Sequence, residues 1–127
     1  MGKTIVVPQT AYGFESEYNS MKWDENLLHQ FFREIPPENY LKLFKSSAIP
    51  PDIFSHIVKT LIEKEPSIDI SIKIIFNLCK TQSIDLTLMM LDDAEKNLIL
   101  KLVEKFEKES KLEDRENIAE TIKWMVD

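Results

Sequence analysis

The chain contains few of the residues that mark β-hairpins, disulfide frameworks and membrane spans. Its only glycines, Gly2 and Gly13, lie near the amino terminus, so the rest of the chain lacks the turn residue that hairpins favour. A single cysteine, Cys79, excludes an internal disulfide. No stretch reaches the ~18 consecutive apolar residues of a membrane-spanning helix. We therefore expect a soluble intracellular protein, located in the cytoplasm with the nucleus as a second compartment.

Basic residues are also in deficit. The 22 acidic residues outnumber the 16 basic ones, and the net charge is −6. A negative chain repels phosphate backbones, and its Lys and Arg residues alternate with Glu and Asp along predicted helix faces. The charge therefore argues against nucleic acid as a partner.

Apolar pairs recur every four residues in three stretches of the chain, and this spacing is typical of one apolar stripe along an α-helix. The three stretches are Leu27–Ile35, Ile53–Ile62 and Leu98–Phe106. Such stripes must be buried against each other. The sequence therefore predicts an all-α fold, a compact bundle or short solenoid of about seven to eight antiparallel helices.

We predict an extended arm over residues 1–13 and one helical adaptor domain over residues 14–127, because 127 residues with 43% hydrophobic content fit a single core. Asp24 and Ser67 are placed to cap helices, and Pro37 and Pro51 to begin them. The stretch 68–79 has too many apolar residues for one stripe and is expected to be the central helix, although its β-branched content would also suit a strand. The predicted helices cover about 14–22, 25–35, 37–44, 51–63, 68–79, 85–91, 93–110 and 114–125.

The residue types that carry catalysis or bind metals are not grouped in this sequence. His29 and His56 are far apart, and no ligand spacing suited to zinc is present. Cys79 follows apolar residues and is expected to be an inert core thiol. The acidic run that starts at Asp92 resembles a helix-capping box completed by Glu95. We therefore predict no enzymatic activity, no metal and no cofactor.

The short segment Ile84–Leu91 carries apolar residues on two sides. At 100° per residue, Ile84, Leu88 and Leu91 share one face of a helix, whereas Ser83, Leu86 and Met90 share the opposite face. If the first face packs on the body, the second points outward, and exposed Leu and Met are typical of adaptable protein-binding surfaces. A helix buried on both faces is the alternative, and the periodicity leaves both open.

A distributed pattern between Phe14 and Ser110 resembles a known domain family. It consists of Tyr40-Leu41 and Leu43-Phe44, then Pro51-Asp52-Ile53-Phe54, then the short hydrophobic helix and the acidic-capped long helix. The pattern is similar to the carboxy-terminal domain of the RNA polymerase II-associated protein three family, which we equate with Monad and which is shared with dynein-assembly factors.

This resemblance implies a helical adaptor that binds RuvB-like AAA+ ATPases. It also implies an indirect link to the ninety-kilodalton heat-shock chaperone through tetratricopeptide repeats outside this chain, in a co-chaperone complex for macromolecular assembly. The short helix would be the docking surface, with Leu86 and Met90 as anchors, Ser83 on the outward face, and Lys80 and Thr87 at the rim. Ser83 replaces a basic residue common in the family, and Ile84 replaces an aromatic one.

Three other interpretations remain open from the sequence. A helical peptide-binding module would accept a partner helix in a groove between the first and third striped helices. A dynein-arm assembly factor domain would belong to the same family. A structural domain would dimerise through Trp124, Met125 and Val126, although we expect the isolated domain to be a monomer.

Overall fold

The computed structural model describes residues 5–127 of the chain. Within that range it contains eight α-helices and no β-strand, which confirms the predicted fold class. No helix in this range combines the length and the apolar content needed to cross a bilayer. The helices are α1 (Ala11–Met21), α2 (Glu25–Glu34), α3 (Pro37–Leu43), α4 (Pro51–Lys64), α5 (Ile68–Cys79), α6 (Ile84–Met89), α7 (Asp93–Glu109) and α8 (Arg115–Val126).

Helix α1 begins at Ala11, earlier than the predicted start at Phe14. The cause is Thr10, whose side-chain oxygen accepts a hydrogen bond from the backbone N–H of Gly13 at 3.0 Å. The predicted arm over residues 1–13 is therefore too long at its carboxyl end. Its first four residues lie outside the described part of the chain, and residues 5–10 precede the helix.

The four helix starts predicted from capping residues and prolines are confirmed. The Asp24 carboxylate accepts a hydrogen bond from the Leu27 N–H at 3.1 Å, and the Ser67 hydroxyl accepts one from the Ile70 N–H. Pro37 and Pro51 occupy the first turns of α3 and α4, where the missing N–H costs no hydrogen bond. Local sequence chemistry thus fixes where these helices begin.

The amino-terminal half is held together by a buried aromatic cluster. Phe14 is fully buried, and its ring centroid lies 5.3 Å from that of Phe31 and 5.3 Å from that of Phe44. The Tyr40 hydroxyl donates a hydrogen bond to the Phe32 carbonyl at 2.7 Å, and burial raises the pKa of Tyr40. These contacts join α1, α2 and α3 around one core.

Helix α5 is the central element, and the strand alternative for this stretch is wrong. It packs against α3, α4, α7 and α8. Cys79 at its carboxyl end is buried as expected, and burial raises the pKa of its thiol to about 12. The chain leaves α5 through a short turn in which the Thr81 hydroxyl donates to the Leu78 carbonyl at 2.6 Å. Helix α6 follows this turn and lies at the surface.

Candidate functional site

Helix α6 is attached to the body along one face. Ile84, Leu88 and Leu91 are each at most 6% exposed, as the periodicity predicts. The Thr87 hydroxyl donates a hydrogen bond to the Ile49 carbonyl, in the segment before α4, at 2.6 Å. A helix of six residues is not stable alone, so these contacts hold α6 in place.

The opposite face of α6 is open to solvent. Leu86 is 58% exposed, Met89 75% and Met90 72%, so the alternative in which both faces are core is wrong. Residues three and four positions apart are neighbours on a helix, and these side chains therefore form one continuous patch. We call Leu86, Met89 and Met90 the α6 apolar surface. Adjacent exposed apolar side chains of this kind are typical of protein-binding sites, and methionine adapts its shape to a partner.

The other predicted site residues have different environments. Lys80 is exposed at the end of α5, with its ammonium 4.5 Å from the centroid of the Phe76 ring. Ser83 is half-buried and immediately precedes α6. Thr87 is only 1% exposed, so its predicted position at the rim is wrong. It lies one turn after Ile84 and therefore shares the buried face.

A surface groove between α6 and α8 was not predicted from the sequence. It has a volume of about 310 Å³, and its walls include Met89 of the α6 apolar surface and Trp124, which is 82% exposed. Trp124 lies off the buried stripe formed by Ile118 and Ile122, which is the one sequence signal for its exposure. The lining residues are Asp85, Leu88, Met89, Lys96, Trp124, Met125, Val126 and Asp127.

The acidic run after α6 caps the next helix, as predicted. Asp92 accepts a hydrogen bond from the Glu95 N–H at 2.8 Å, and Glu95 accepts one from the Asp92 N–H at 3.0 Å. This reciprocal pair is a capping box, which accounts for these two carboxylates without a catalytic role. Across residues 5–127, no three His, Cys, Asp or Glu side chains are grouped as metal ligands.

Both histidines lie in separate structural contacts between helices. His29 Nε2 is 3.1 Å from a carboxylate oxygen of Glu65, whose side chain is fully buried. His56 Nδ1 is 2.7 Å from the Tyr18 hydroxyl. Burial, together with nearby carboxylates, raises the pKa of Tyr18. Each histidine therefore joins elements of the core, and the two do not meet in one site.

The structure argues against the alternative in which a partner peptide binds in a groove between the first and third striped helices. Helix α4 packs against both α2 and α7, the two striped helices that would have formed the groove. A cavity between α4 and α7 has a volume of about 20 Å³, enough for one water molecule and too small for a side chain. The dimer alternative needs Trp124, Met125 and Val126 exposed, but Val126 is 3% exposed. The α6 apolar surface is therefore the stronger candidate.

Residues 7–96 match the sequence family described as the potential Monad-binding region of RPAP3, which is RNA polymerase II-associated protein 3. The chain is 32% identical over 95 residues to that protein from Xenopus tropicalis and 31% identical over 96 residues to that from Homo sapiens. Each match covers 72% of this chain and 14% of the relative, so the chain spans about one seventh of these relatives' length.

The fold is also similar to a solved structure. The NMR structure of the C-terminal domain of human RPAP3 has a TM-score of 0.76 at 24% identity, and the match covers 96% of this chain and 95% of that domain. The family description treats Monad as a binding partner of RPAP3. The prediction that Monad is another name for the family is therefore wrong. The family match itself includes the whole of α6. The chain belongs to the family of the RPAP3 C-terminal domain.

Proposed function

We propose that this chain is a non-enzymatic adaptor domain that binds a RuvB-like AAA+ ATPase through the α6 apolar surface. The observation that carries the proposal is the division of α6 into one buried face and one exposed apolar face. The description of the RPAP3 domain as a binding region supports an adaptor role. The ATPase, and the link to the ninety-kilodalton heat-shock chaperone through repeats outside this chain, follow from the resemblance of the sequence to that family.

Leu86 and Met90 are the proposed anchors, and Met89 joins them. Full burial of one such side chain contributes roughly 1.5–3 kcal/mol. A Leu86→Glu variant would lose that contribution and would also bring a carboxylate into an apolar contact, at a further cost. We expect binding to weaken at least about 100-fold, which corresponds to about 2.7 kcal/mol.

Binding of the purified domain to RuvB-like ATPase hexamers, measured by light-scattering chromatography, tests the proposal. The Leu86→Glu variant is measured beside Ile62→Glu, which places the same charge at a 40% exposed position on α4. Circular dichroism checks that both variants keep the wild-type helical content. Lost binding in a folded Leu86→Glu variant, with binding retained by Ile62→Glu, supports the proposed partner and surface. Equal binding by all three proteins would show that α6 is not the contact.

Monad is a second candidate partner, favoured by the description of the matched family. The same three proteins, tested against purified Monad, separate the two candidates. Binding to Monad without binding to the ATPase would replace the partner and keep the adaptor role. A melting temperature far below wild type in Leu86→Glu would instead show that this face stabilises the fold.

A further inference from the structure

The groove between α6 and α8 is continuous with the α6 apolar surface, because Met89 belongs to both. The indole of Trp124 forms another part of its wall. A volume of about 310 Å³ accommodates one large side chain from a bound protein. A partner that covers Leu86 and Met90 would therefore lie next to this groove.

The charges around Trp124 favour a cation. The exposed carboxylates of Asp85 and Asp127 line the groove beside Trp124. Among the described residues that line the groove, Lys96 is the single basic one. An aromatic face beside carboxylates attracts an ammonium or a guanidinium, whereas an apolar side chain would desolvate those carboxylates without pairing them.

We infer that the partner bound to the α6 apolar surface also inserts an arginine or lysine side chain into this groove, over Trp124 and between Asp85 and Asp127. This inference rests on the proposed function. The proposed site then has two parts, which are the apolar contact on α6 and a charged contact in the groove. It also assigns a role to α8, which lies beyond the residues that match the family.

The test measures the dissociation constant for the RuvB-like ATPase as a function of salt. Trp124→Ala removes the aromatic wall, and an Asp85→Asn, Asp127→Asn double variant removes the two carboxylates. Trp23→Ala is the matched control, because Trp23 is 87% exposed and lines a different cavity. We expect both groove variants to bind about tenfold more weakly at low salt, and the double variant to lose part of the salt dependence. Trp23→Ala should bind as wild type does.

The inference fails separately from the proposed function. If Leu86→Glu abolishes binding while Trp124→Ala and the double variant bind as wild type does, the groove is empty in the complex and the α6 surface stands. Tighter binding by the double variant would show an apolar occupant and overturn the inference. Self-association that Trp124→Ala abolishes, without a change in ATPase affinity, would assign the groove to a second copy. Absence of wild-type binding to the ATPase would overturn the proposed partner and, with it, this inference.

Discussion

Replacement of Thr87 by valine removes a buried hydroxyl and keeps the shape of the side chain. That hydroxyl donates to the Ile49 carbonyl at 2.6 Å and is the polar contact that attaches α6 to the segment before α4. Loss of the hydrogen bond leaves a buried carbonyl without this donor, at a cost of about 1–3 kcal/mol, and the added methyl group offsets part of it. We expect Thr87→Val to lower the free energy of unfolding by about 1–2 kcal/mol.

The chain offers a matched control at Thr60. Thr60 is also fully buried in a helix, but its hydroxyl has no hydrogen-bond partner within the described residues. A buried hydroxyl without a partner opposes folding, so Thr60→Val is expected to be neutral or to stabilise the domain by up to about 1 kcal/mol. The two variants make the same chemical change, and only Thr87→Val should lower the free energy of unfolding.

Urea denaturation and thermal melting followed by circular dichroism measure both effects. With an unfolding entropy of about 2.1 cal/mol/K per residue, a loss of about 1–2 kcal/mol lowers the melting temperature by about 4–8 °C. Equal losses for Thr87→Val and Thr60→Val would refute the reasoning, because the hydrogen bond to Ile49 would then have no measurable role.

Two further predictions concern the core. Phe14→Ala should lower the free energy of unfolding by about 3–5 kcal/mol in urea titrations, because it empties the centre of the aromatic cluster, whereas Tyr12→Ala on the same helix should stay within about 0.5 kcal/mol. A small loss for Phe14→Ala would contradict the described packing. Burial raises the pKa of the Cys79 thiol from 9.0 to about 12. The unfolded chain therefore releases this proton at lower pH than the folded one. The stability contributed by the buried protonated thiol is complete below pH 9 and is lost as the pH rises toward 12. The free energy of unfolding of wild type should therefore fall by about 1.4 kcal/mol per pH unit above 9, relative to that of Cys79→Ala. The same difference between the two proteins at about pH 8 and at about pH 10 would contradict this.

The sequence was sufficient where the signal is local. Four-residue spacing located the striped helices, and Asp24, Ser67 and the Asp92–Glu95 pair marked helix starts through hydrogen bonds within one turn. The excess of apolar residues in α5 indicated a central position because several neighbours must cover it. The same angular argument separated the buried and exposed faces of α6 at Leu88 and Leu86.

The features that the sequence did not predict are one local helix start and two contacts between distant parts of the chain. Thr10 caps α1, but the first turn of this helix, Ala11, Tyr12 and Gly13, shows no apolar spacing that would have indicated a helix. Thr87 lies on the buried face one turn after Ile84, but its hydrogen-bond partner, the carbonyl of Ile49, is distant in the sequence and could not be predicted. Residues of α6, α7 and α8 together form the walls of the groove, and helical periodicity describes each helix separately.

The carbonyl that receives the Thr87 hydrogen bond belongs to the residue before two consecutive prolines. Proline fixes φ near −65°, and a residue before proline is itself restricted, so the Ile49–Pro51 segment has few conformations to lose when the domain folds. The support beneath α6 is therefore largely ordered before any partner arrives. Binding of a partner to α6 would therefore cost little conformational entropy in the Ile49–Pro51 segment. More of the free energy of the contacts would then appear as binding affinity.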